Sequence, residues 1–197
     1  MIEIYAHRAI YQNRENTIDG IKNNFELGFN VEIDLRKNNG IIYLAHDPES
    51  NGESFEKACE IAKHYSKKMA IHLKENIDID EIIKLILKYK IEKNCFIFST
   101  TDKIENSKIV DIASYENRNN SPINPILWCD ETSEKWYTKE IFLKYQKNKQ
   151  YVITMSKELT LKSNFQEIKN EWNRLINLGT NGICTDFPNE LKKICGT

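Results

Sequence analysis

The sequence predicts an α/β fold, specifically a compact (β/α)8 barrel of the TIM type with some helices trimmed. Three observations carry that expectation. Short apolar strand-like runs alternate with amphipathic helical runs along the chain, the pattern of a mostly parallel sheet. About eight runs are of the parallel kind once residues 41–46 are taken as a hairpin arm. Polar, chemistry-bearing residues collect near the C-terminal ends of these strands, where barrels of this type keep their sites. At 197 residues the chain is short for the fold, so helices are expected to be lost around 101–124. The alternative is an open doubly wound sheet. Against it, none of the seven glycines belongs to a G-x-G-x-x-G following a strand. One domain spanning 1–197 is expected.

The elements follow in order. Residues 2–7 (IEIYAH) read as a strand, and Ile18, Ile21, Phe25 and Leu27 fit a helix ending at Gly28. Residues 30–37 and 41–46 are strands around an Asn-Asn-Gly turn. A helix over 54–67 leads to a strand at 69–75, an apolar helix at 78–90 and a strand at 94–100. Residues 109–116 and 125–131 are strands separated by a polar loop. A helix at 138–148, a strand at 151–156, a helix at 165–179 and a last strand at 181–188 complete the chain.

Composition removes several function classes. A net charge of −1 gives no global attraction to nucleic acid or to an anionic membrane. The lysine-rich helices at 84–93 and 139–149 interleave their charges with acids or apolar residues and lack an aromatic platform, so they read as solvated faces. The five cysteines are odd in number, show no Cys-x-x-Cys spacing and lie mostly in apolar runs, which predicts buried free thiols. The N-terminal residues lack signal-peptide character, and no run approaches the roughly 18 apolar residues of a membrane span. The expectation is a cytoplasmic protein with no membrane span and no nucleic-acid partner.

The chemistry gathers at a few points. Side chains on a strand alternate faces, so Val31, Ile33 and Leu35 point one way, and Glu32 and Asp34 share the other. Two carboxylates on one interior face repel and lose hydration. Two readings relieve them. A divalent cation could lie between them, Mg²⁺, Ca²⁺ or Mn²⁺ for oxygen donors; or Lys74 could pair one and Arg8 the other. Neighbouring strand ends supply His7 with Arg8, His46 with Asp47, His72 with Lys74, Tyr115 with Glu116, Asp130 with Glu131, and Asp186. Glu131 and His64 read as solvated rim and surface.

Several of these residues form a recognisable series. AHR (6–8), ENT (15–17), EIDLRKNNGIIYLAHD (32–47), HLK (72–74) and TDFP (185–188) together resemble the glycerophosphodiester phosphodiesterases. Their pattern is His-Arg-Gly, Pro-Glu-Asn-Thr, Glu-x-Asp, His-Asp, Glu-x-Lys and Thr-Asp-x-Pro. The resemblance implies a (β/α)8 barrel, with His7 and His46 as a general acid/base pair. It implies Glu32 and Asp34 as metal ligands with Glu15 close to the ion, Arg8 and Lys74 on the phosphate, and Asp186 near the site floor. DIASYEN, LWCDE and ITMSKEL also resemble a short bacterial branch associated with surface-polysaccharide genes.

Three departures stand out. Ala9 replaces the family glycine, and Arg14 the proline before Glu15. His72 replaces the third metal carboxylate, as a possible ligand or phosphate contact. Only the seven residues 47–53 separate His46 from the next helix, so the family's large substrate-loop insertion is missing. The expected function is metal-dependent hydrolysis of a small-molecule phosphodiester, either a glycerophosphodiester or a sugar-linked relative. Tyr115 and Asp130 are expected to bind substrate, and Glu116 to lie at the site. The alternatives are a non-catalytic diester-binding domain with a degraded metal site, or a lyase that stops at a cyclic phosphate.

Overall fold

The computed structural model describes residues 2–48, 52–100, 107–116, 124–131 and 135–196. Among the described residues the strands are β1 (Glu3–Ala6), β2 (Asn30–Asn38), β3 (Ile41–Leu44), β4 (Glu53–Ser54), β5 (Met69–Leu73), β6 (Cys95–Ser99), β7 (Asp111–Glu116), β8 (Ile126–Cys129), β9 (Tyr151–Met155) and β10 (Gly182–Thr185). The α-helices among these residues are α1 (Ile18–Glu26), α2 (Phe55–Ala62), α3 (Ile79–Tyr89), α4 (Lys139–Lys147), α5 (Phe165–Leu178) and α6 (Pro188–Cys195). The strand order is β1-β10-β9-β8-β7-β6-β5-β2-β3-β4, with β1 also pairing β2. With its parallel pairings and alternating helices, this is the (β/α)8 barrel the sequence predicts, and β3 and β4 form the antiparallel appendage.

The helices begin and end where their sequences allow. Thr17 caps α1 by accepting from the Gly20 amide at 3.1 Å, and Gly28 turns the chain away at φ +91°. Asp78 caps α3 through the Asp80 amide at 3.0 Å. Asn164 and Glu167 form a reciprocal capping box on α5, whose end is Gly179 at φ +95°. Two elements differ from expectation. The run to 188 is a strand only as far as Thr185, and α6 begins at Pro188, whose missing N–H suits a first helical position. The residues 53–54 pair with β3 as β4 before α2 starts. Much of the region expected to be trimmed, 101–106 and 117–123, lies outside the described residues.

The chain divides into two compact units. One, residues 6–112, packs Val31, Ile33 and Leu35 of β2 and Met69, Ile71 and Leu73 of β5 against Ile21, Phe25, Phe55, Ile82 and Ile86 of its helices. Each such apolar side chain contributes about 1.5–3 kcal/mol on burial. With odd positions of β2 committed to this layer, Glu32 and Asp34 are left on the opposite face. The other unit, residues 1–5 and 113–197, has a core built from Leu127, Cys129, Tyr137, Phe142, Tyr145 and Val152. Cys59, Cys95, Cys129 and Cys184 are buried free thiols, as expected, while Cys195 is half-buried. No helix among the described residues is long and apolar enough to cross a membrane.

Candidate metal and phosphate site

The residues 6–112 bring the predicted acids together with a histidine. β2 and β5 run parallel with Asp34 opposite His72 and Glu32 opposite Ala70. That register puts His72 Nδ1 3.1 Å from Asp34 Oδ1 and 3.7 Å from Glu32 Oε1. Donor atoms of Glu32, Asp34 and His72 all lie within 4.8 Å of one another. Both carboxylates are almost completely buried, at 2% and 1% exposure. The His72 ring stacks on Phe98 with centroids 4.6 Å apart, and its Nε2 is 3.3 Å from Thr100 Oγ1. A stacked face and two occupied nitrogens leave the ring little rotational freedom.

The turn after β1 supplies the cationic side. Arg8 and Ala9 adopt left-handed backbone, at φ +49° and +48°. This turn aims the Arg8 amide at Glu32 Oε2, 2.8 Å away, while its guanidinium Nη1 donates to Glu15 Oε2 at 2.8 Å. Arg8 Nε is 3.4 Å from Asp34 Oδ2, an ionic contact without hydrogen-bond alignment, so this buried N–H has no acceptor among the described residues. Lys74 Nζ is 3.9 Å from Asp34 Oδ1. Asp34 therefore draws both cations, whereas the metal-free reading assigned one to each acid. Ala9 occupies a backbone conformation in which a side chain costs roughly 1–2 kcal/mol relative to glycine's freedom.

Asn16 is a contributor that the sequence reading named only within the ENT motif. It is buried at φ +52°, its Nδ2 donates to Asp34 Oδ2 at 3.1 Å, and its Oδ1 accepts from the Asp34 amide at 2.9 Å. Asparagine tolerates left-handed backbone and carries donor and acceptor on one short amide. It thereby fixes the Asp34 carboxylate in place.

These contacts bias the charges. Burial pushes the Asp34 carboxyl up, but hydrogen bonding and charge from His72, with help from Asn16 and Lys74, hold it below the usual carboxylate range. Burial pulls the His72 imidazole down, but hydrogen bonds and charge from Asp34 and Glu32 outweigh it and hold it above its ordinary value. Without a cation, the imidazolium is the favoured partner of the two acids.

His46 follows β3 in a bend, and its Nδ1 lies 3.1 Å from Asp47 Oδ1. A second overlooked residue, Arg36, holds this bend. Its Nε and Nη2 donate to the His46 carbonyl at 2.9 and 2.7 Å, while Nη1 donates to Glu75 at 3.0 Å. His7 opens the short turn after β1, and its carbonyl accepts from the Ile10 amide at 3.0 Å.

The remaining predicted residues belong to the other unit. Tyr115 Oη donates to Asp130 Oδ2 at 2.7 Å. Burial, and then the Asp130 carboxylate, push the Tyr115 phenol up. Burial also raises Asp130, which Glu131 reinforces against the opposing Tyr115 bond. Glu131 is no solvated rim residue: it pairs with Arg174 and accepts from the Trp136 and Tyr137 amides, each at 2.6 Å. The Asp186 amide donates to Glu158 Oε1 at 3.2 Å. The Glu116 side chain lies outside what is described. His64 is exposed, as expected.

No family profile matches the sequence, and no curated protein matches it. Solved structures do. A protein assigned as a glycerophosphodiester phosphodiesterase from Galdieria sulphuraria superposes with a TM-score of 0.80 at 16% identity, covering 100% of this chain and 98% of that one. A glycerophosphoryl diester phosphodiesterase from Parabacteroides distasonis gives 0.76 at 13% identity, covering 99% and 86%. A Ca²⁺-dependent phosphatidylinositol-specific phospholipase C from Streptomyces antibioticus gives 0.66 at 9% identity, covering 97% and 96%. The chain thus has the barrel fold that these phosphodiester-cleaving proteins share.

Proposed function

We propose that the protein is a metal-dependent phosphodiester hydrolase acting on a glycerophosphodiester or a related sugar-linked diester. One observation carries the reading: Glu32, Asp34 and His72 converge as a buried donor group with Arg8 and Lys74 beside it. The donor set fits a divalent cation, since two carboxylates and an imidazole are ordinary ligands. The nitrogen makes the set less suited to Mg²⁺ or Ca²⁺ than an all-oxygen one, and favours Mn²⁺ among the three expected ions. Bound by Glu32, Asp34 and His72 with Glu15 nearby, the ion would neutralise phosphoryl charge and acidify a hydroxyl. His72 must be neutral to ligate, so cation binding displaces its proton.

The chain's own groups do the rest. Arg8 is the anion-binding group beside the acids, since a guanidinium can donate two parallel hydrogen bonds to a phosphoryl group. Lys74 adds a second positive charge. Asp47 at Nδ1 of His46 leaves Nε2 for proton transfer, and His7 is its partner in acid/base work. Each is expected to be worth on the order of 10²–10⁴ in rate. The polysaccharide link and a cytoplasmic location belong to the same proposal and rest on the sequence alone.

The test is hydrolysis of a generic aryl phosphodiester with Mn²⁺, Mg²⁺ or Ca²⁺, abolished by EDTA and by His7→Ala. A second reading has its own support. The raised His72 favours an imidazolium between the acids, a cation-free arrangement suited to holding a diester without cleaving it. No turnover above the His7→Ala background with any cation, across a broad diester panel, would establish that reading instead.

A further inference from the structure

We propose that Thr100 is a positioning residue of the candidate metal centre. Its hydroxyl accepts the His72 Nε2–H, which fixes Nδ1 as the ligating atom and so selects a first-row transition ion over Mg²⁺ and Ca²⁺. The inference rests on the metal reading of Glu32, Asp34 and His72, and adds to it an atom, a residue and an ion class. β5 and β6 run parallel with His72 directly opposite Phe98, and Thr100 follows two residues later. The ladder lays the His72 ring on the Phe98 ring, with centroids 4.6 Å apart and planes 10° from parallel. It also brings Thr100 Oγ1 to 3.3 Å from Nε2, the ring nitrogen that the acids do not use.

The two nitrogens have unlike surroundings. Nδ1 stands 3.1 Å from Asp34 Oδ1 and 3.7 Å from Glu32 Oε1. A half-turn about the Cβ–Cγ bond would put Cδ2 where Nδ1 stands and Cε1 where Nε2 stands, giving up all of these contacts together. A smaller turn would lose the Phe98 stack. A neutral imidazole carries one N–H, and the other nitrogen ligates with its lone pair. An acceptor at Nε2 keeps the proton there and leaves the Nδ1 lone pair aimed at the space the acids share. Ligating histidines usually have such a partner at the second nitrogen, and its loss costs roughly 10–100-fold in metal affinity. The ion class follows from the donor. Mg²⁺ and Ca²⁺ prefer oxygen ligands, whereas imidazole suits Zn²⁺ and its neighbours in the first row. Three protein ligands with a place left for water is also the pattern of catalytic zinc sites.

The chain has four histidines, few enough for a direct test. Protein labelled with ¹⁵N-histidine is loaded with Zn²⁺, and long-range ¹H–¹⁵N correlation shows which ring nitrogen holds the proton and which the metal. His72→Ala identifies the His72 signals. His72 should carry Zn²⁺ at Nδ1 and its proton at Nε2. Thr100→Val keeps the branched shape and loses the hydroxyl, so calorimetry should show Zn²⁺ binding at least tenfold weaker. Thr100→Ser should restore it. His72→Glu should lower the ratio of Zn²⁺ to Ca²⁺ affinity at least tenfold. Zn²⁺ at Nε2, or Zn²⁺ bound with neither His72 nitrogen ligating, overturns the proposal. So does parent-like affinity in Thr100→Val, no recovery in Thr100→Ser, or an unchanged ion ratio in His72→Glu. If Glu32→Gln still abolishes Zn²⁺ binding in any of those cases, the metal reading survives without Thr100. A protein that binds no divalent cation overturns both.

Discussion

His72 and Asp34 are direct register partners on adjacent parallel strands, and their side chains meet at 3.1 Å between Nδ1 and Oδ1. The contact defines the protein's departure from the pattern it otherwise resembles, because a carboxylate is expected at position 72. It also makes the site self-neutralising when empty of metal, since an imidazolium can satisfy what a cation would.

Replacing His72 with glutamate should reverse that balance. Three buried carboxylates then face one another, and the metal-free variant should melt at a lower temperature than the parent. Added Mn²⁺ or Ca²⁺ should raise its melting temperature by more than it raises the parent's. Differential scanning fluorimetry with and without cation reads both effects. Equal cation responses would detach position 72 from the ion.

Glu32→Gln addresses the ion from the other strand. The amide keeps the side chain's volume and loses its charge, so cation-dependent thermal stabilisation should vanish while the fold survives. An unchanged stabilisation would mean that the cation binds elsewhere.

Arg36 should matter for turnover more than for affinity. Its two N–H groups grip the His46 carbonyl, and Glu75 grips Arg36 in turn. Arg36→Ala frees the bend that carries His46, and a misplacement of about 1 Å can cost on the order of 10² in rate. Steady-state kinetics on an aryl phosphodiester should show kcat falling with KM much less altered. A loss confined to KM would make Arg36 a substrate contact.

Gly20→Ala should damage the turn that holds Arg8. A Cβ there would meet the Ala9 carbonyl oxygen at 2.2 Å, and backbone cannot swing aside as a flexible side chain can. Overpacking of this kind costs about 1–3 kcal/mol. Chemical denaturation should show that loss, together with weaker cation stabilisation, since the same turn carries the Arg8 amide to Glu32.

Glu171 sets part of the acid limit. Burial pushes its carboxyl up, but hydrogen bonds and charge from Arg174 and Lys135 outweigh burial and hold it below its ordinary value. A carboxyl held low when folded contributes stability that is present above the ordinary glutamate range, about 4.3, and lost as pH falls through the lower folded value. Glu171→Gln should cost about 1–3 kcal/mol at neutral pH. It should also flatten the fall in stability below about pH 4.3. An undiminished acid slope in the variant would assign that loss to other carboxyls.

Much of this arrangement could be read in advance because strand alternation is strict. Once Val31, Ile33 and Leu35 are committed to an apolar layer, Glu32 and Asp34 have one face left to occupy. The helices were legible from apolar spacing, as with Ile18, Ile21 and Phe25 of α1, and from Gly28 and Gly179 at two of their ends. What escaped was long-range or conformational. Asn16 braces Asp34 only because its backbone is left-handed and 18 residues of chain bring the two together. Arg36 acts on a backbone carbonyl ten residues away, a partner that no side-chain pattern announces. Helix α6 has no counterpart in the expected elements, which stop with a strand at 188, although Pro188, Glu190, Lys192 and Lys193 carry the acidic start and basic finish of a short helix.

The pairing of residues 34 and 72 has an evolutionary reading as well. Their spacing is inherited from the backbone ladder, independent of either side chain, so the chemistry at position 72 can be exchanged by single substitutions while the platform beneath stays put. A lineage could trade one ion preference for another, or catalysis for retention of the bound anion, without rebuilding the barrel.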